Sequence, residues 1–409
     1  MSEVSPQTFV LPNGLRVIHQ HSPSEISYCG FAINAGTRDE EADEHGLAHF
    51  MEHLLFKGTR KRKAHHIAAR MENVGGELNA YTTKEETFVY SVFLHEYTER
   101  AVELLFDLVF RSDFPPAQIE RERDVILDEI AIYNDSPSEL IYDDFENLLF
   151  RGNEPGHYIL GTPQSLERLG RDNFVRFAAR QYHPSQMVFF YFGKTPPEKI
   201  LRLSERHAPE KSSAFVAKAR KTPNGIAPRQ EIVPKGNAQT HVLVGNRGYS
   251  LFHPNRHALY LLSNLLGGEG MNSRLNLSLR EKHGLVYNVE STTAFYSDCG
   301  VFGVYLGCDA KNTEKCLRLV KKEFNRIIDT PLTPQQLAVA KRQLKGQIGI
   351  SAENRESVAL GMAKSLLHTN DYNSIEQTFA TIDAVSSAQI QAVASEVLLP
   401  RALSEIRYI

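Results

Sequence analysis

Along this 409-residue chain, apolar and polar positions follow two periods, and the two periods recur in the same order in each half. Apolar and polar residues alternate over 8–11 and 15–19 around an Asn13-Gly14 pair, which predicts a hairpin with a tight turn. A strand over 27–35 follows. Spacings of three and four then predict helices over 46–56 and 64–74, and a stretch rich in Thr, Tyr, Phe and Val predicts a long strand pair over 77–94. Helices over 97–110, 117–133, 139–149 and 171–181 and a strand over 187–192 close this half. After residue 229 the order restarts. Strands at 230–233 and 240–244 precede helices at 256–266 and 273–282, a strand pair spans 286–306, and helices run from 313–328 and 334–350 onward to 398.

Between the halves, residues 209–229 lose apolar periodicity and carry Lys, Arg, Pro, Asn and Gly, which reads as a linker. The expectation is an α+β chain of two structurally homologous domains, 1–208 and 230–409. Each is an antiparallel or mixed β-sheet packed with helices, in a duplicated fold. A length of 409 residues also exceeds what one core usually organises.

Composition narrows the partners. With 42% hydrophobic and 23% charged residues the alphabet is that of a globular protein. A net charge of -3 lacks the basic excess that displaces counterions, so nucleic acid is not an expected partner. No apolar run approaches the roughly 18 residues that span a bilayer, so no membrane partner is expected. Four cysteines without a C-x-x-C pair argue for thiols in a reducing compartment. The opening residues show neither a signal peptide nor a transit peptide, which gives a cytoplasmic expectation.

Residues 49–53 read His-Phe-Met-Glu-His within a predicted helix. At about 100° per residue, His49 and His53 lie about 40° apart with Glu52 adjacent, so all three share one face. Leu47, Phe50, Met51, Leu54 and Leu55 form the opposite, core-seeking stripe. Two neutral imidazoles on one face make a natural pair of zinc ligands, and a hydrolytic site needs a third protein ligand with one position left to water. The helix over 117–133 offers Glu120, Glu122, Asp124, Asp128 and Glu129, with Ile119, Ile126, Ile130 and Tyr133 as its buried stripe. Glu122 and Glu129 share a face but lie about 10.5 Å apart along the axis, so one of them at most binds the metal directly. Periodicity alone does not choose among the acids. His45, His65 and His66 lack the paired geometry and read as structural.

Four segments together resemble the inverzincin peptidases of the pitrilysin group, family M16. They are His49-Phe-Met-Glu-His53, Gly75-Gly-Glu-Leu-Asn-Ala-Tyr-Thr82, Glu122-Arg-Asp-Val-Ile-Leu-Asp-Glu129 and Arg280-Glu-Lys-His-Gly-Leu-Val-Tyr287. The likeness is to its short-chain branch, which includes the mitochondrial processing peptidase and bacterial homologues, and covers nearly the whole chain. It implies one Zn2+ per chain held by His49, His53 and Glu129, since the family's third ligand follows the second motif histidine by 76 positions. It makes Glu122 a supporting acid. Zinc in such a site lowers the pKa of its water toward 7 and polarises a carbonyl, and Glu52, beside both ligands, is the general base.

By the same resemblance, Arg280 and Tyr287 approach the substrate carbonyl and the developing oxyanion. Gly76, Asn79, Ala80, Tyr81 and Thr82 belong to an edge strand to which a peptide adds by main-chain hydrogen bonds. The second half has no H-x-x-E-H motif; Arg256-His-Ala-Leu-Tyr stands at the corresponding helix. Relatives pair as a hollow clamshell, so the expected protein is a homodimeric zinc peptidase completing its site in trans and cutting short or unfolded peptides. The alternative is a non-catalytic or heterodimeric partner subunit. Acidic residues at 39–44, and ten acids against Arg121 and Arg123 between Gln118 and Asn147, would favour basic peptides if they lined a chamber; solvated helix faces are the plainer reading.

Overall fold

A computed structural model describes residues 5–210, 220–224 and 227–409 of the chain. These divide into two compact units, one of residues 5–130, 157–210 and 352–374, the other of residues 131–156, 220–351 and 375–409.

The first unit is built on a mixed sheet of β1 (Gln7–Val10), β2 (Arg16–His21), β3 (Ile26–Ile33), β4 (Glu77–Thr82), β5 (Thr87–Leu94) and β6 (Met187–Gly193). Their order is β1-β2-β6-β3-β5-β4, with β2 parallel to β6 and every other pair antiparallel. β4 is therefore an edge strand. Helices α1 (Leu47–Leu55), α2 (Ala64–Glu72), α3 (Thr98–Arg111) and α4 (Pro116–Asn134) belong to this half of the sequence. They cover one face of the sheet, where Phe31, Phe106 and Phe189 meet ring to ring at 4.8–5.1 Å.

The other face is apolar too, because β6 is buried along its whole length and its alternate residues point both ways. Val188, Phe190 and Phe192 turn toward that second face, and a helix from far along the chain, Arg355–Thr369, covers it with Ala359, Met362, Ala363 and Leu366.

The second unit repeats the plan. Strands β7 (Gln230–Val233), β8 (Thr240–Gly248), β9 (Val286–Phe295), β10 (Gly300–Cys308) and β11 (Ser404–Tyr408) run in the order β7-β11-β8-β10-β9, again with one parallel pair, β7 with β11. Strand for strand this matches β2-β6-β3-β5-β4, so the duplication expected from element order is present in the topology. Helix α5 (Pro137–Leu149), from the first half of the sequence, covers one face of this sheet with Leu140, Ile141, Phe145 and Leu148.

Contiguous domains at 1–208 and 230–409 do not describe this division: each half of the sequence supplies one helix to the other half's unit. The physical reason is that a central strand apolar on both faces needs two helical layers, and local sequence supplies only one. Of the expected linker, residues 211–219 and 225–226 lie outside the described residues, and 220–224 and 227–229 hold no helix or strand. Two elements had no strong pattern in the sequence, the helix Pro197–His207 and β11, whose five residues include Glu405 and Arg407. The helix expected over 273–282 is wound as a π-helix over Asn276–Glu281.

Candidate metal centre

Helix α1 begins where Gly46 takes φ +89°, and a β-carbon there would stand 2.8 Å from the Leu160 carbonyl oxygen, so only glycine fits both the turn and the contact. The buried Glu40 carboxylate accepts hydrogen bonds from the Gly46 and Ala48 amides at 3.1 and 2.9 Å, satisfying amides that the first helical turn leaves free. Leu47, Phe50, Met51, Leu54 and Leu55 are sunk in the core. That fixes the rotation of α1 and leaves His49, Glu52 and His53 on the remaining face. The two imidazole rings stand 4.8 Å apart at 66°.

Helix α4 buries Ile119 and Ile126 and so turns Glu122 and Glu129 toward α1. Glu129 Oε2 lies 3.8 Å from His49 Nε2 and 3.6 Å from His53 Nε2. Among the described residues, His49, His53 and Glu129 form the one group of His, Cys, Asp or Glu able to hold an ion, their donor atoms all within 4.8 Å of one another. Of the five acids that periodicity left open on this helix, Glu129 is the one that reaches both imidazoles.

The donor set fits zinc. A tetrahedral ion bonded at about 2.0–2.2 Å sets its donors about 3.3–3.6 Å apart, close to the 3.8 and 3.6 Å from Glu129 Oε2 to the two imidazoles. His49 supports the fit independently: it is 8% exposed, its buried Nδ1 has no hydrogen-bond partner among the described residues, and its Nε2 faces Glu129. Burial, with His53 beside it, pushes the His49 pKa down to about 3, which keeps the ring neutral and able to ligate. Glu122 stands one step back. Its Oε2 is 3.3 Å from His53 Nδ1 and its Oε1 accepts from Lys57 Nζ at 2.8 Å, so it orients the ring while Lys57 balances its charge.

Glu52 does not join the donor cluster. Its Oε2 accepts a hydrogen bond from Thr82 Oγ1 at 2.6 Å, and Oε1 has no hydrogen bond among the described residues. Burial raises its pKa, while Thr82 and His53 act in the opposite direction. Thr82 ends the edge strand β4, whose alternation turns Leu78, Ala80 and Thr82 to the α1 side; Tyr81 stacks on Phe88 at 4.8 Å beneath the opposite face. A cleft of about 630 Å³ follows β4, lined by Phe56, Lys57, His65, Glu72, Gly76 and Asn79.

Arg280 and Tyr287 belong to the second unit, Arg280 in the π-helix and Tyr287 on β9. Both are exposed, Tyr287 to 63%, and among the described residues neither side chain makes a hydrogen bond or ion pair.

Lys57 and Glu40 escaped sequence reasoning, and Thr82, expected on the substrate strand, also bonds Glu52. Lys57 and Thr82 act through Glu122 and Glu52, contacts no spacing rule reports. Glu40 lay within the acidic run at 39–44, read as a solvated face or chamber lining; Asp39, Glu40 and Glu44 are instead buried, Asp39 bonded to the Gly36 amide and Glu44 paired with Arg180 at 2.5 Å. His45, read as structural, packs against His157 with ring centroids 4.1 Å apart and planes tilted by 58°.

Comparison with known proteins agrees with this architecture. Residues 16–163 match the family model described as "Insulinase (Peptidase family M16)" and residues 168–344 match "Peptidase M16 inactive domain". An uncharacterised zinc protease of Streptomyces coelicolor is 34% identical over 397 residues, covering 95% of this chain and 86% of the relative. The mitochondrial-processing peptidase subunit beta of Bos taurus is 30% identical over 402 residues, covering 96% and 82%. In fold, the crystal structure of a protease from Helicobacter pylori superimposes with a TM-score of 0.89 at 21% identity over 99% of both chains. With both family models matched in tandem and relatives this similar along nearly its whole length, the chain belongs to peptidase family M16.

Proposed function

We propose that the chain is a zinc-dependent peptidase that hydrolyses short or unfolded peptides, with His49, His53 and Glu129 holding one Zn2+ and Glu52 acting as the general base. The observation that carries this reading is the meeting of His49 Nε2, His53 Nε2 and Glu129 Oε2 beside a Glu52 carboxylate with one oxygen unengaged among the described residues. Zinc, when bound, supplies a Lewis acid that activates water and polarises a scissile carbonyl. Glu52 Oε1 then takes the proton of the attacking water and returns it to the leaving nitrogen. Glu122 holds His53 in the orientation that turns Nε2 toward the cluster.

The free edge of β4, at Gly76, Asn79, Ala80, Tyr81 and Thr82, accepts the peptide backbone as an added strand, a mode that reads extended shape before side-chain identity. Arg280 and Tyr287, both exposed, donate to the carbonyl oxygen as it gains charge. They act in trans within a homodimeric clamshell. The decisive pair of measurements is zinc content and chelator-sensitive cleavage of a quenched peptide by the purified chain. Glu52→Gln retains zinc and loses turnover by about two to four orders of magnitude; loss of zinc in that variant makes Glu52 a ligand and overturns its role. Mixing Arg280→Ala with Glu52→Gln chains restores activity if the site is completed in trans.

A second reading, a subunit active only with a different partner chain, is favoured by the name of the Bos taurus relative, which is itself one subunit of a peptidase. Zinc bound without cleavage by the lone chain, with cleavage on adding a second subunit, selects that reading.

A further inference from the structure

We propose that Thr82 is a positioning residue for Glu52: its hydroxyl occupies one carboxylate oxygen and so directs the transferred proton to the other. The inference rests on the peptidase reading for its consequence in catalysis, but its geometry stands apart from the metal.

Two threonine hydroxyls meet at this point, Thr82 Oγ1 and Thr87 Oγ1, 3.4 Å apart, and the buried Tyr182 hydroxyl stands beside Thr87. Thr87 is buried, and its single proton goes to the Ala35 carbonyl at 2.8 Å. Thr87 therefore has none to donate to Thr82. Thr82 holds its own proton and has a carboxylate oxygen at 2.6 Å against a hydroxyl oxygen at 3.4 Å, so the proton lies on the Glu52 side. Both hydroxyls thus have a defined direction, Thr82 to Glu52 and Thr87 to Ala35.

A carboxylate oxygen already accepting a short hydrogen bond is the poorer place for a second proton. When Glu52 takes a proton, the O–H bond of water breaks and a new one forms at Oε1, while Oε2 keeps accepting from Thr82, whose own O–H bond is unchanged. One contact thereby serves both protonation states and holds the carboxylate in one rotamer. The strand that carries Thr82 is also the edge strand offered to a peptide, so docking of substrate and aim of the base share one rigid element.

Thr82→Val replaces the hydroxyl by a methyl of similar size, and Thr82→Ser keeps the hydroxyl. The expected result for Thr82→Val is a fall in kcat of about tenfold to a hundredfold, the range for one hydrogen bond to a charged group, with KM within about twofold and zinc content unchanged. Thr82→Ser returns kcat to within about threefold of the parent chain. In crystals of metal-free Thr82→Val the Glu52 side chain leaves its rotamer or divides between two. Full kcat in Thr82→Val, a loss confined to KM, a Thr82→Ser as impaired as Thr82→Val, or an unmoved Glu52 overturns the assignment. If Thr82→Val does not fold, Thr82→Ala, which cannot clash, carries the same measurements. Should the parent chain show no chelator-sensitive cleavage, the peptidase reading fails, and the Glu52 rotamer alone still decides whether Thr82 holds it.

Discussion

Glu86 shows how one side chain far from the motif contributes to holding the first unit together. It sits in the turn between β4 and β5, 3% exposed, with Lys364 Nζ at 2.5 Å and His368 Nε2 at 2.8 Å. Burial works to raise its pKa, but His368 and Lys364 outweigh burial and bring it down to about 2, from an ordinary 4.5. A depressed carboxylate contributes stability that is fully present above its unfolded pKa and is lost as pH falls through the folded value, so the window runs from about 4.5 down to about 2. The expected contribution at neutral pH is about 3 kcal/mol. Urea melts of the parent chain and Glu86→Gln should differ by that order at pH 7 and converge as pH approaches 2. A constant gap across this range refutes the pairing as its source.

Between elements, two joints matter most for the site. One is the meeting of α1 and α4, which share the apolar core and bring the donor cluster and the Glu122–His53 contact together on their facing sides. An ion bound to the folded chain alone stabilises it by mass action, about 2.7 kcal/mol at a hundredfold excess over Kd. Chelation is accordingly expected to lower the Tm of the parent chain and of Glu52→Gln alike, whereas Glu129→Gln, with a weakened donor set, responds little; calorimetry with and without chelator reads this. The other joint is the seating of the Arg355–Thr369 helix on the sheet of the first unit. Phe190 is fully buried beneath it, so Phe190→Ala should cost about 3–5 kcal/mol in a denaturant melt while leaving His49, His53 and Glu129 in place.

At the scale of the whole chain, the reciprocal helices set what counts as a folding unit. A fragment ending near residue 210 lacks the helix that covers Ile18, Ala32, Phe88, Val188 and Phe190, all buried in the intact first unit. Such a fragment exposes a contiguous apolar sheet face, which in water drives association. It is expected to aggregate on expression, measured by light scattering, and supplying residues 352–374 as a peptide in trans should reduce that aggregation. Among the described residues no helix is long and apolar enough to cross a membrane.

What was legible from sequence alone follows from how local each cause is. Helix α1 and the shared face of His49, Glu52 and His53 depend on a spacing of a few residues and on the apolar stripe opposite, and both are written in nine consecutive positions. The hairpins and the repeated element order are local in the same sense. Choice among Glu120, Glu122, Asp124, Asp128 and Glu129 was not local, since it required the rotation of α4 about its buried isoleucines and the distance to another helix. Thr82, Lys57 and Glu40 meet partners 30, 65 and 8 positions away, the Glu52 and Glu122 carboxylates and the Ala48 amide. The two crossing helices were the least readable, because an amphipathic stripe records that a face must be buried and not which sheet will bury it. Pattern within a segment determined the elements and the side chains offered on α1; only packing between distant segments decided which acid faces the histidines, which hydroxyl bonds Glu52 and which helix covers each sheet.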